Sequence, residues 1–306
     1  MLSLIVIAAL AYLLTLGGTT DVVLSSRVKD IDAARYLAEA GFQHMRESLR
    51  TDGCTGYKSL GDTSFGGGQY AVTVDPKSGS PVTFVATGQT LSGATFSFEQ
   101  AGVRIFDSPL STELNPGQSI DDTWLSKQDP WDNFGKSSFM EVTKWSSQRS
   151  HAVVRFDVSA IPPGALVKSA MLRLYLESVS VQPPGSGVFV HEVTNDWDEG
   201  KSIGVYADGA SWNRRDWLVD WNDAGGDYVN SSISFTSLGA GGTQHYLDIT
   251  PAMQGWVDGT QPNYGVLLTA SGGVRAAEFR TGDTSGSPRK PRLLVSYACE
   301  CGTPGC

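Results

Sequence analysis

Three tryptophans, Trp212, Trp217 and Trp221, enclose Asn213, Arg214, Arg215 and Asp216 in one short stretch. An aromatic face beside hydrogen-bonding groups suits a sugar, whose C–H bonds stack on a ring while its hydroxyls seek polar partners. Trp217, Trp221, Arg214 and Arg215 are therefore the candidate glycan contacts. A second chemistry is offered by acidic groups at Asp121-Asp122, at Asp129 with Asp132, and at Asp196-Trp197-Asp198-Glu199. Calcium takes six to eight oxygen ligands, so Asp121, Asp122, Asp196, Asp198 and Glu199 are candidate ligands of a structural calcium ion. None has EF-hand spacing, and solvated turns explain them as simply. No cofactor is required by the pattern.

Catalytic signatures fail one by one. His191-Glu192 is followed by Asn195 where the second histidine of a zinc H-E-x-x-H motif would stand. There is no G-x-S-x-G elbow and no phosphate loop ending in Lys-Ser/Thr. The expectation is a protein that is not an enzyme. Cys54, Cys299, Cys301 and Cys306 form an even set suited to an oxidising compartment. Cys299 and Cys301 are too close for an easy mutual bridge, which leaves Cys54 to pair with one and Cys306 with the other. Zinc is disfavoured by the spacing. The sequon Asn230-Ser231-Ser232 stands in a loop.

The elements that must carry these residues follow from composition and periodicity. The chain has 306 residues, with 35 Gly and 14 Pro, which favours turn-rich β structure. Its net charge is −9 with no run of Lys or Arg, and this excludes nucleic acid as a partner. Residues 1–20 are apolar, and Asp21 is the first charge. From residue 25 to 50 the spacing becomes amphipathic, with Val28, Ile31, Ala34, Ala38, Phe42, Met45 and Leu49 on one stripe. One helix over 1–50 is expected, stopped at Thr51-Asp52-Gly53. β-rich runs over 51–106 predict a three- or four-stranded antiparallel sheet resting on that stripe. Residues 107–118 read as a linker, and 119–298 as a β-sandwich of alternating strands. Pro251–Val257 is the one short helix predicted there, with Thr250 as its N-cap. Residues 299–306 form a Cys-rich tail.

The N-terminal pattern resembles the type IV pilin family, including its PilX-like and other minor-pilin branches. The resemblance rests on the apolar start, the weak point at Gly17-Gly18, and Tyr36-Leu37-Ala38-Glu39-Ala40-Gly41. It implies a cleaved leader, a methylated N-terminus at Met1, and a helix buried in a filament core. The assembly residues would be Met1, Leu2, Leu4, Ile5 and Val6, then Leu10, Leu13, Leu14 and Leu16, with Gly17 and Gly18 after them. Most major pilins carry Glu at the fifth mature position, whereas this chain has Ile5. Burying an unpaired amine is costly, so either another group pairs with it or the subunit sits at a special position in the fibre.

The C-terminal region is similar to the DNRLRE-domain family, which overlaps a carbohydrate-binding module family. The segments that carry the likeness include Val154-Arg-Phe-Asp-Val-Ser-Ala-Ile-Pro-Pro-Gly, Ser169-Ala-Met-Leu-Arg-Leu-Tyr, Val193-Thr-Asn-Asp-Trp-Asp-Glu-Gly, Leu247-Asp-Ile-Thr-Pro and Pro291-Arg-Leu-Leu-Val-Ser-Tyr297. The likeness implies a jelly roll, places Trp197, Trp212 and Trp256 in its framework, and makes an acidic polysaccharide one class of ligand, for which Arg214, Arg215 or Arg280 would supply positive charge. The expectation for the whole chain is an α+β extracellular filament subunit. Its helix and small sheet build the fibre, its jelly roll is displayed for adhesion, its partners are copies of itself, and the inner membrane holds it before assembly. A minor or tip pilin of another subunit's fibre, and a membrane-anchored carbohydrate-binding module that never polymerises, are the alternatives.

Overall fold

The structure, a computed structural model, describes residues 22–54, 57–114, 120–205 and 208–303. The apolar segment holding Met1 to Gly18, and Cys306, lie outside the described residues. The chain divides into two compact units, Met1–Ser108 with Ala298–Cys306, and Pro109–Tyr297.

In the first unit α1 (Val22–Asp52) lies on an antiparallel meander of β1 (Leu60–Phe65), β2 (Gly68–Asp75), β3 (Val82–Thr90) and β4 (Thr95–Val103), in that order. The alternation of β3 buries Val82, Phe84 and Ala86 under the helix. Ala34 and Ala38 present small side chains there, and the backbone at Gly88 comes so close that a Cβ would overlap the Ala34 carbonyl. Phe42 then meets Phe84 and Phe98 edge-on, with ring centroids 5.8 and 5.5 Å apart. The apolar stripe is covered only from Ala34 onward: Val28 and Ile31 stay 58% and 50% exposed. Gly53, at φ +58°, ends α1 in the left-handed conformation that glycine adopts at low cost. No strand signal marks β1 in the sequence, because Leu60-Gly-Asp-Thr-Ser-Phe65 lacks apolar alternation and has no buried residue.

The C-terminal tail belongs to this unit. Cys54 is bonded to Cys301, so one of the two pairings left open for Cys54 is fixed, and Cys299 is disulfide-bonded as well. Beside the bridge, Glu300 takes a 2.7 Å ion pair from Arg104 and a hydrogen bond from the Ser80 hydroxyl. The Cys301 amide donates to the Ile105 carbonyl.

The second unit is a curled, sandwich-like antiparallel sheet. Its strands are β5 (Leu110–Leu114), β6 (Ile120–Ser126), β7 (Asp132–Asn133), β8 (Phe139–Trp145), β9 (Gln148–Phe156), β10 (Leu166–Val181), β11 (Gly187–Glu192), β12 (Gly204–Val205), β13 (Arg214–Asp216), β14 (Val219–Asp220), β15 (Ser234–Ser237), β16 (Thr243–Asp248), β17 (Val266–Ala270), β18 (Val274–Arg280) and β19 (Arg292–Ala298). The main sheet runs β15-β11-β17-β9-β8-β18-β10-β19-β5, with β16 on β10 and β6 on β9. Long β10 pairs with β16 through Leu176 and with β18 from there on, and a register shift follows Leu176. Such an irregularity bends a strand and helps a sheet curl. Leu172, Leu174 and Leu176 alternate into the core, where Leu247, Met253 and Phe279 are also fully buried.

Two expectations are corrected. The stretch read as a linker contains β5, whose partner β19 lies far along the chain and so left no local signal. Glu113 of β5 is held by Arg292. Thr250 does not cap α2 (Thr250–Val257): Ile249 is the N-cap and its side chain makes no cap bond, while Asp248 Oδ1 accepts the Thr250 amide. The Thr250 hydroxyl instead accepts the Ala170 amide and donates to Asp248. No helix among the described residues is long and apolar enough to cross a membrane.

Candidate functional site

Alternation on three neighbouring strands gives one face a mixed lining. Arg149 and His151 stand two apart on β9, as do Phe189 and His191 on β11, and Phe189 pairs in register with Thr269 of β17. The intervening Ser150, Ala152, Val188 and Val190 are buried. Farther along this face the long excursion between β11 and β15 folds down. There Trp197, Trp212 and Trp221 cover Leu125, Val153 and Leu267 to make a second core. Where that cover ends, a cleft of about 530 Å³ opens. His151, Phe189, His191 and Thr269 lie along it, Trp212, Tyr228, Asn230 and Ser232 belong to its excursion side, and Lys127, Lys144 and Arg149 supply its cations. A shallower hollow of about 300 Å³ adjoins it across Phe189, lined by Pro183, Pro184 and Phe235.

Hydrogen bonds set both histidines. A carbonyl can only accept, so His151 Nδ1 donates to the Gly225 carbonyl at 2.7 Å, and His191 Nδ1 donates to that of Val229 at 2.9 Å. His191 Nε2 therefore accepts from the Thr269 hydroxyl at 3.0 Å. Burial, with a smaller contribution from nearby Arg149 and Lys144, pushes His151 down to about 4. Desolvation lowers His191 in the same direction. Both rings are thus neutral at pH 7, and the cleft's positive charge comes from Lys127, Lys144 and Arg149. None of the three enters an ion pair among the described residues. Tyr228 packs on His191 at 4.8 Å between centroids, and Trp212 on His151 at 5.0 Å. The arrangement pairs apolar ring surface with hydroxyl, amide and cationic donors, which suits a polyhydroxylated ligand carrying negative charge.

The glycan contacts expected from sequence do not come together here. Trp221 is only 5% exposed, and its indole N–H donates to the Ser211 carbonyl, so it is part of the core and offers no face to a sugar. Trp197, Trp212 and Trp256 are buried as framework residues should be. Trp217 is 48% exposed in the tight turn between β13 and β14, away from the cleft lining. Arg214 lies over the Trp131 ring at 4.9 Å and donates to the Trp217 carbonyl. Arg215 donates to the Asp196 carbonyl, and Arg280 is paired with Glu177 at 2.9 Å. These arginines hold loops and strands in place. The cleft cations were missed because Lys127, Lys144 and Arg149 are isolated in sequence. The available signal was polar residues at alternate positions of apolar strands, as in Arg149-x-His151.

The acidic candidates divide. Asp121 and Asp196 both pair with Arg155, at 2.6 and 2.5 Å, and Asp198 accepts the Gly200 amide. Those three are occupied in structural roles. Asp122 and Glu199 do meet, joined by Asp283, with one carboxylate oxygen from each lying within 4.8 Å of the others. Asp122 is 1% exposed, and burial pushes it up to about 8 despite the Gly282 amide that donates to Oδ2. Lys136 pairs with Glu199 at 3.1 Å and with Asp283 at 3.4 Å.

No curated protein matches this chain. The family model of carbohydrate-binding module family 96 matches residues 115–297, which takes in the curled sheet except for its edge strand β5 and covers more than half of the sequence. The match supports a carbohydrate-binding β-sandwich domain, and the chain belongs to carbohydrate-binding module family 96.

Proposed function

We propose that the second unit binds an anionic polysaccharide in the cleft between the β9–β17–β11 face and the tryptophan-rich excursion, without catalysing a reaction on it. The observation that carries this reading is local charge: Lys127, Lys144 and Arg149 gather at one cleft of a chain whose net charge is −9. A polymer of uronic acids or sulfated sugars offers carboxylates or sulfates to these cations and C–H faces to Phe189 and Tyr228. A charge-assisted hydrogen bond contributes about 1.5–3 kcal/mol. Replacing Lys144 or Arg149 by Ala should therefore weaken binding about tenfold or more. Calorimetry with uronic-acid and neutral oligosaccharides at two salt concentrations checks this. Equal affinity for neutral sugars, unchanged in both variants, would overturn it.

We further propose that the first unit carries this module on an extracellular pilin-like fibre. Support comes from the apolar pattern of residues 1–20, from the helix-on-meander unit, and from Val28 and Ile31, which α1 leaves exposed where neighbouring copies would cover them. Mass spectrometry of the native N-terminus, with electron microscopy of sheared surface material, tests it. An N-methylated Met1 in fibres built mainly of this chain supports the proposal. Fibres built of another subunit would reassign it as a minor or tip component. Recovery from membranes alone would leave an anchored binding module.

A further inference from the structure

The carboxylates of Asp122, Glu199 and Asp283 converge from three separate parts of the second unit. Asp122 is on β6, Glu199 follows Trp197 in the excursion after β11, and Asp283 is in the turn after β18. We propose that these three carboxylates bind a calcium-type divalent cation, which ties β6, the excursion and the β18–β19 turn together.

The spacing fits one ion. Oxygens on opposite sides of a calcium ion, each at about 2.4 Å, are about 4.8 Å apart, and the three ligand oxygens all lie within 4.8 Å of one another. An independent observation points to a missing partner. Asp122 Oδ2 accepts the Gly282 amide, but Oδ1 is buried with no hydrogen-bond partner among the described residues. A buried carboxylate oxygen left bare is costly, and an ion at this position would satisfy it.

The surroundings hold Glu199 in place. Asn133 donates from Nδ2 to the Glu199 and Ala210 carbonyls at 2.8 and 2.9 Å. At Gly135 the backbone approaches the Glu199 carbonyl so closely that a Cβ would overlap it. These contacts fix the backbone from which the Glu199 carboxylate reaches the cluster.

Lys136 is the competing cation. Its ammonium reaches Glu199 and Asp283, leaves Asp122 Oδ1 without a partner, and sits on a side chain 39% exposed that is free to swing outward. One ammonium against the charges of Glu199 and Asp283 leaves negative charge uncompensated, which a divalent ion neutralises.

The test uses the full chain, with calorimetric titration of calcium chloride and thermal unfolding in calcium or EDTA at matched ionic strength. Calcium at a hundredfold excess over its Kd should raise the unfolding temperature of the second unit by about 5–10 °C. Asp122→Asn and Asp283→Asn should abolish both the heat and the shift. Asp283 is the fallback should the buried substitution impair folding, because it is partly exposed in a turn. Lys136→Met should tighten calcium binding several-fold. No heat and no shift with the wild-type chain would overturn the site. So would a shift that survives both carboxylate variants, or a Lys136→Met protein that is less stable and no better at binding calcium.

Discussion

His151 shows how one residue ties the cleft to pH. Its Nδ1–H is fixed on the Gly225 carbonyl and its ring packs against Trp212, so charging the imidazole requires hydration that the site does not supply. The folded value of about 4 lies below the ordinary value of 6.5. The unfolded chain therefore binds the extra proton first as pH falls. The resulting stability is whole above about pH 6.5 and is lost between there and about 4, by on the order of 3 kcal/mol. Thermal unfolding from pH 7 to 4.5 should show this loss, and His151→Gln should flatten that part of the profile. An unchanged profile in the variant would place the acid sensitivity elsewhere. The same residue illustrates what sequence reading misses. His151 was visible as part of a strand, but its meeting with Trp212 and Tyr228 depends on an excursion that returns over the sheet.

At the scale of elements, the helix and meander depend on a close approach. Gly88 on β3 lets the strand backbone rest against the Ala34 turn of α1. Gly88→Ala should push the two apart and cost about 1–3 kcal/mol, the usual range for overpacking, read as a fall in the denaturation midpoint of the first unit. An Ala variant of unchanged stability would mean that the contact yields freely. Much of this unit was legible because periodicity reports burial: Ala34, Ala38, Met45 and Leu49 were all read from their spacing and are buried. Val28 and Ile31 share that spacing but have no sheet above them, since amphipathicity marks a face without naming its cover. The second unit was legible as alternating strands, while β5 and the cleft were not. Both arise from pairing between distant segments, and Trp221 shows that residue type alone does not separate a core ring from an exposed sugar platform.

For the whole molecule, the feature with the longest reach is the bridge between Cys54 and Cys301, 247 residues apart in sequence. All of the second unit is threaded between the two ends of the first, so without a cross-link the tail's return depends on weak contacts. These are the Arg104–Glu300 ion pair, the Ser80 hydroxyl and a short run of backbone bonds. Arg104 is largely solvent-facing, and exposed pairs of this kind contribute about 0–1 kcal/mol. In the chain-entropy account, closing a loop this long restricts the unfolded ensemble by about 5 kcal/mol, although that ceiling is often not reached. Cys54→Ser with Cys301→Ser should therefore lower the unfolding temperature of the first unit and make the tail accessible to a carboxypeptidase. The second unit builds its sheet from residues 110 to 297 without using the bridge, so its own transition and its glycan affinity should be retained. Separate transitions by calorimetry, with proteolysis followed by mass spectrometry, would show whether the loss is confined in this way. A matching fall in the second unit's transition would mean that the two units unfold as one, and that the bridge stabilises the binding module as well as the helix and its sheet.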